Sequence, residues 1–395
     1  MSNVITITEL TNRYKNYVTE LRRSFHQWPE LGFEEQKTTQ HIADELDKIG
    51  VPYKINPEKN TGIVAWIKGN DNSDAVALRA DIDALPVTEE NDIDFRSKVP
   101  GKMHACGHDS HIAMLLGAAR MLMDVKNQIN GTVYLIFQPA EEVGTGASYM
   151  VRFGDWYKKV SSIYGCHNWI SLPAGTIAAK PGEWLAAASQ FSVNVHGVSG
   201  HGSQPQQTVD ASVVACAIGL NLQSIVSRNC DPKDAVVLTI GKMTSGTRWN
   251  IISGSAVLEG TCRYFNKGLG KEIEKRMNDI VTHTAMAYGA TAELTYNELI
   301  PPVFNDPTCT KIGQEAMKKI MGPDGLVEMD KTTGSEDFSY YLEDKPGCFA
   351  FVGTNNPKIG AVNPHHSGTF TIDDSILSLG SGVYAQYAID WLNRK

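Results

Sequence analysis

A chain of 395 residues, 42% hydrophobic and 20% charged, has room for two or three domains and the make-up of an ordinary folded protein. Its 44 acidic against 36 basic residues leave a net charge of −8, which argues against a nucleic-acid or anionic-membrane surface. Seven cysteines, an odd number spread from 106 to 348, do not make a disulfide framework, so reduced thiols in a cytoplasm are the expectation.

The opening stretch, MSNVITITELTNRYKNYV, has neither a basic region nor an apolar core, so no secretory signal is expected there. No window approaches eighteen uninterrupted apolar residues, so no membrane span is expected. Residues 8–50 read as two helices broken by Pro29 and Gly32. Four mostly continuous apolar runs follow, at 62–69, 75–81, 132–138 and 162–167, the pattern of strands covered on both faces. Helical segments between several of them predict a largely parallel α/β sheet. Polar residues come directly after these runs: Asp81 and Asp83, then Glu141 and Glu142, then His167. Ligands bind at the carboxyl ends of strands in such sheets, so three strands deliver carboxylate or imidazole to one edge.

The densest chemistry is HACGHDSH at 104–111, three histidines, a thiol and a carboxylate in eight positions. Thiolate sulfur and imidazole nitrogen are the ligands that borderline-soft divalent metals prefer. Cys106 and His108 lie two apart and would share a face in an extended segment, with Gly107 free to turn between them. Ile112, Leu115, Leu116, Ala119, Leu122 and Met123 then recur at helical spacing, with Asp109 or Ser110 suited to cap the start. Adjacent Glu141 and Glu142 need a neutralising cation if buried; one could ligate while the other moves protons.

Near residue 184 the grammar changes. Strands at 191–198, 235–243, 254–265 and 291–300 alternate with helices at 210–227 and 272–288, the βαββαβ order of a ferredoxin-like unit. The expected division is a catalytic domain of residues 1–183 and 300–395 with an inserted domain of 184–299. His201 sits in a glycine-flanked loop of the insert, and Asn250 and Arg263 (with Arg248 as a competitor) are groups suited to a substrate carboxylate. After Pro301-Pro302 the α/β pattern resumes, with a helix near 306–320, a turn at 334–338, a strand at 348–354, His365-His366 and a final helix over 373–392.

RADIDALP (79–86), HACGHDSHIA (104–113), QPAEEVGTGA (138–147) and GCHNW (165–169) together resemble the M20 metallopeptidase family, in its N-acyl-amino-acid, hippurate and auxin-conjugate amidohydrolase branch. HQWPELGFEEQKT (26–38), SGHGSQP (199–205), LEGTCRYF (258–265) and GSEDFSYYL (334–342) extend the likeness over nearly the whole chain. The resemblance implies a di-metal catalytic domain with an inserted lid that dimerises, giving a homodimer with a tetramer as the larger alternative. It matches Cys106, His108, Glu142, His167 and His366 to metal ligands, the thiolate bridging two divalent ions. Glu141 matches the general base and Asp83 a residue supporting a ligand. His201 matches a lid histidine serving the neighbouring subunit's site, and Asn250 and Arg263 match substrate-recognition positions. Trp28, Ser253 and Gly368 depart from the family pattern without removing a ligand or the base. The implied reaction is hydrolysis of an N-acyl amino acid with zinc or manganese, nickel or cobalt being the further options. A carboxypeptidase or an N-acetyl-diaminopimelate deacetylase is the neighbouring reading, and a catalytically silent metal-binding protein is the reading from another class.

Overall fold

The computed structural model describes residues 5–70 and 74–394; the first four residues of the opening stretch read for a secretory signal lie outside them. In chain order its principal strands are β1 (Tyr53–Ile55), β2 (Ile63–Lys68), β3 (Ala75–Asp81), β4 (Thr132–Gln138), β5 (Ser162–Pro173), β6 (Ile177–Ala178), β7 (Ala188–His196), β8 (Val237–Ser245), β9 (Ser255–Arg263), β10 (Thr291–Ile300) and β11 (Gly347–Asn355). The helices that matter below are α1 (Lys15–His26), α2 (His108–Asp124), α3 (Ala211–Ser224), α4 (Lys267–Ala287) and α5 (Leu377–Leu392). The chain divides into two compact units: Met1–Gly182 with Asn305–Asp330 and Tyr340–Lys395, and Glu183–Phe304 with Lys331–Ser339.

The first unit is a mixed α/β layer built on a seven-stranded sheet, in the order β1-β2-β4-β3-β5-β11-β6. The four central strands are mutually parallel, and the edge pairings β1/β2, β2/β4 and β11/β6 are antiparallel. All seven residues of β3 are buried, as a strand covered on both faces requires. Helix α2 is the core helix. Ile112, Met114, Leu115, Leu116, Met121 and Leu122 are all fully buried, so apolar contacts surround it rather than lining one stripe. Each such side chain contributes roughly 1.5–3 kcal/mol on burial, enough together to hold the helix start in one place. That start differs from the expected cap. The N-cap is Gly107 at φ 84, with no side-chain cap bond. Asp109 turns instead toward helix α1, pairing with Arg22 at 2.9 Å and His26 at 2.7 Å, and Ser110 donates back to the Gly107 carbonyl.

The second unit is antiparallel, in the order β8-β9-β7-β10, with α3 and α4 packed on it. Numbered by sequence this is 2-3-1-4, the strand arrangement of the ferredoxin-like βαββαβ unit. Residues 331–339, expected with 300–395 in the first domain, group with this unit instead. Lys331 pairs with Glu183, Thr332 donates its N–H to the Trp184 carbonyl, and Arg263 Nη1 donates to Ser335 Oγ. Ala211–Asn229 is long and apolar enough to cross a membrane by length and composition. Val214, Ala215, Ile218 and Leu222 on it are buried in the unit's own core, while Val213 and Leu220 are exposed.

Candidate metal centre

The polar groups of the first unit gather at the carboxyl ends of the parallel strands. Asp81 ends β3, and Asp83 follows two residues on. Glu141 and Glu142 follow β4 across a turn in which Ala140 has φ 55. His167 was expected at a strand end but lies within β5, which runs on to Pro173 along β11. Its neighbour β3 stops pairing with it at Arg79↔Gly165, two residues before His167, and the His167 ring packs against the His111 ring of α2 with centroids 4.6 Å apart. His366, at φ 65, arrives on a loop pinned by its N–H to the Ala105 carbonyl at 2.8 Å. Left-handed backbone at Ala140 and His366 costs of order 1–3 kcal/mol each, strain of a kind that collects at functional sites.

Asp83 lies behind the cluster and works on two of its members. Its Oδ1 is 3.2 Å from His108 Nδ1, and its Oδ2 accepts the Glu142 N–H at 2.9 Å. The bond at Nδ1 puts a proton there and leaves Nε2 of His108 facing inward. That nitrogen is 3.9 Å from Glu142 Oε1 and 4.0 Å from Glu141 Oε2. His167 is oriented likewise: Nδ1 lies 2.6 Å from the Asn168 carbonyl, and Nε2 faces Cys106 Sγ at 3.3 Å. Glu142 Oε1 is 3.5 Å from His366 Nε2.

These separations suit a divalent cation. Metal–ligand bonds of roughly 2.0–2.3 Å in a tetrahedral site set neighbouring ligand atoms about 3.5 Å apart. Cys106, His108 and His167 offer one such group, and Cys106, Glu142 and His366 a second, each with donor atoms within 4.8 Å of one another. Cys106 belongs to both groups. His108 Nε2 and Glu142 Oε1 are buried with no hydrogen-bond partner, which is costly for polar atoms unless something else binds them. Burial, then the charges of Glu142 and Glu141, push the Cys106 thiol well above its usual range. Burial opposes the protonation of His108, yet Asp81, Asp83 and Glu142 raise it to about 10. Both shifts express the same excess of negative charge, which a divalent ion would neutralise.

Three groups in the sequence cluster do other work. His111, although near Asp81 and His108, has both ring nitrogens engaged: Nδ1 with Asp81 Oδ1 at 2.5 Å, and Nε2 by the Asn168 N–H at 2.8 Å. It is therefore a support for Asp81, which also accepts from Arg79 at 2.8 Å. His104 is buried at the side of His26, and burial lowers its pKa to about 3. Asp109 belongs to the Arg22–His26 network, where His26 Nε2 also meets Glu89 at 3.1 Å. Sequence reasoning noted Asp81 but gave none of these partners, because they come from elements 30 to 87 positions away with no shared period.

In the second unit His201 and Asn250 are neighbours: His201 pairs with Ile251, and the Gly202 N–H donates to the Asn250 carbonyl at 3.0 Å. His201 is exposed, and its Nδ1 accepts from the Ser203 N–H at 3.1 Å, which leaves Nε2 as the donor. Asn250 Oδ1 is buried without a partner. Arg263 is not beside them. It ends β9, eight residues along from Ser255, about 26 Å for an extended strand.

A parallel-centred α/β sheet that collects thiol, imidazole and carboxylate around a space for divalent ions defines a metal-dependent hydrolase. The comparisons with known proteins agree. Residues 77–390 match Peptidase family M20/M25/M40. The chain is 38% identical over 383 residues to thermostable carboxypeptidase 2 of Saccharolobus solfataricus, covering 96% of both. It is 38% identical over 384 residues to IAA-amino acid hydrolase ILR1-like 2 of Arabidopsis thaliana, covering 96% of this chain and 86% of the relative. The crystal structure of a dinuclear metal-binding peptidase of the M20 family from Bacillus subtilis matches with TM-score 0.86 at 34% identity, over 97% of this chain and all of the other. The chain belongs to the M20/M25/M40 peptidase family.

Proposed function

We propose that the enzyme hydrolyses the amide bond of N-acyl amino acids, releasing a carboxylic acid and a free amino acid. The observation that carries this reading is that His108 Nε2 and Glu142 Oε1, both buried without a hydrogen-bond partner, gather with a second carboxylate, Glu141, their donor atoms within 4.8 Å of one another. Cys106, His108, Glu142, His167 and His366 would hold two divalent ions, zinc or manganese first, which would supply the Lewis acidity to bring the pKa of water toward about 7 and to polarise the amide carbonyl. Asp83 keeps His108 in the Nδ1–H tautomer and pins the Glu142 backbone. Glu141 takes a proton from the attacking water as its oxygen bonds the acyl carbon. Glu141 then delivers that proton to the amine nitrogen as the C–N bond breaks.

His201, an exposed Nε2–H donor, is assigned to the negative oxygen of the tetrahedral intermediate in the neighbouring subunit, a role for a fixed donor. Asn250 and Arg263 are assigned to the free carboxylate of the leaving amino acid. A homodimer through the second unit is supported by its open apolar surface. Strand β8 is a sheet edge, and Val213, Leu220, Val237 and Met243 are exposed on α3 and β8.

The plant relative's name supports an acyl amino acid, and the archaeal relative's name supports a peptide with a free carboxyl terminus. The two substrates share one chemical feature, since the last residue of a peptide is itself an N-acylated amino acid. A panel of acetyl-, benzoyl- and long-acyl amino acids, run beside dipeptides with each metal, tests the choice. Free amino acid released fastest from the acyl series is the expected result. Turnover of peptides alone would overturn it in favour of a carboxypeptidase.

A further inference from the structure

Asn168 follows His167 on β5 and is fully buried. Every polar group it carries is engaged, and its bonds reach Cys106, His111, His167 and His365 around the metal centre. Its side-chain Nδ2 donates to the Cys106 carbonyl at 2.8 Å and lies 2.9 Å from His111 Nε2, which also takes the Asn168 backbone N–H at 2.8 Å. Oδ1 lies 3.1 Å from His365 Nε2, and the backbone carbonyl 2.6 Å from His167 Nδ1. Three stretches distant in sequence are thereby joined: the Cys106 loop with the start of helix α2 through His111, strand β5, and the loop bearing His365-His366.

The bonds also decide protons. Because His111 Nε2 accepts from an N–H, its proton sits on Nδ1 and faces Asp81. Because the Asn168 oxygens can only accept, His365 presents Nε2–H to them and His167 presents Nδ1–H. His167 Nε2 is then a bare lone pair aimed at the space beside Cys106 Sγ. His365 is held further by ring contacts with Trp169 and Phe370, so its neighbour His366 leaves a fixed platform. The fit around the amide is close: a Cβ on Gly107 would sit 2.4 Å from Asn168 Nδ2.

We propose that Asn168 is the positioning residue of the metal centre, its side-chain amide clamping the Cys106 loop, His111 and the His365-His366 loop so that Cys106, His167 and His366 meet divalent ions together. The inference rests on the ligand assignment under the proposed function. Partners of this kind, which orient ligands without touching the ion, change metal affinity by about 10–100-fold when removed.

The test uses the full chain, stripped by chelation and titrated with cobalt(II) alone against a chromophoric competitor, with no substrate present. Asn168→Ala, folded by circular dichroism, is expected to bind cobalt about 10–100-fold more weakly than wild type and to show an altered thiolate-to-cobalt charge-transfer band at full occupancy. A lower unfolding temperature alone would not alter that band. His365→Phe, which keeps the ring contacts and loses the Nε2 bonds to Asn168 Oδ1 and to the Asn168 backbone carbonyl, is expected to shift affinity in the same direction by less. Wild-type affinity and spectrum in folded Asn168→Ala would overturn the proposal. Should that variant not fold, the equal-sized Asn168→Asp, which loses the donor to Cys106, carries the same two outcomes. Wild-type protein that takes up no cobalt, or takes it up without a charge-transfer band, would overturn the ligand assignment itself and the proposal with it.

Discussion

Replacing Glu141 by Gln separates proton transfer from metal binding. The side chain keeps its shape and loses its capacity to accept a proton. Glu141 Oε2 stands 4.0 Å from His108 Nε2 and is absent from both groups that contain Cys106, so the proposed ligands are untouched. A positioned general base contributes about 10²–10⁴-fold, which is roughly 3–5 kcal/mol of barrier. The expected outcome is therefore a kcat lowered by that factor, with KM little changed because substrate contacts remain. Metal content by elemental analysis should match wild type, and it must be measured on the same preparation. A fully metallated Glu141→Gln enzyme with kcat within about fivefold of wild type would refute the assignment of Glu141 as base.

Cys106→Ala removes the donor common to both groups and should lower bound metal to about half or less by elemental analysis; unchanged stoichiometry would remove the thiolate from the ligand set. Gly107→Ala places a Cβ at φ 84 and 2.4 Å from Asn168 Nδ2, so unfolding in urea should show a loss of at least about 1–3 kcal/mol. Asp109→Asn leaves buried Arg22 without its 2.9 Å partner and should cost about 3–5 kcal/mol at neutral pH; a loss below about 1 kcal/mol would contradict the ion-pair reading. Burial alone would raise the Asp109 pKa, but Arg22 and His26 hold it below the carboxylate range. Its contribution is therefore complete above about pH 4 and fades as pH falls further, so the gap between wild type and Asp109→Asn should narrow in acid. If His201 serves the neighbouring subunit, mixing His201→Ala with Glu141→Gln protomers should recover about a quarter of wild-type activity once dimers re-form at random. No recovery in verified mixed dimers would remove that role.

Much of this protein is legible in its sequence because the signals are local. Continuous apolar runs followed at once by acid or imidazole locate β3, β4 and β5 and the sheet edge they supply. The strand–helix order of 188–300 yields the ferredoxin-like unit, since each element there announces itself by its own period. Where local reasoning failed, a distant partner competed. Asp109 looks like a helix cap, but a buried guanidinium from α1 claims its carboxylate, and Gly107 takes the cap position. His167 looks like a strand terminus, but pairing with β11 carries β5 six residues further. Residues 331–339 carry no mark of the unit they join, because Glu183, Trp184 and Arg263 recruit them from far along the chain.

By itself, then, the sequence determined which side chains are available for metal chemistry and on which elements they ride, because residue type and hydrophobic period are properties of short stretches. Only the tertiary structure decided which of them meet, and in which protonation form. His108 and His111 are three residues apart on one helix, yet one has a buried Nε2 without a hydrogen-bond partner while the other has both nitrogens bonded. That difference comes from Asp83, Asp81 and Asn168, groups brought alongside by the packing of β3 and β5 against α2. A hydrogen bond across a fold leaves no trace in the order of the residues that make it.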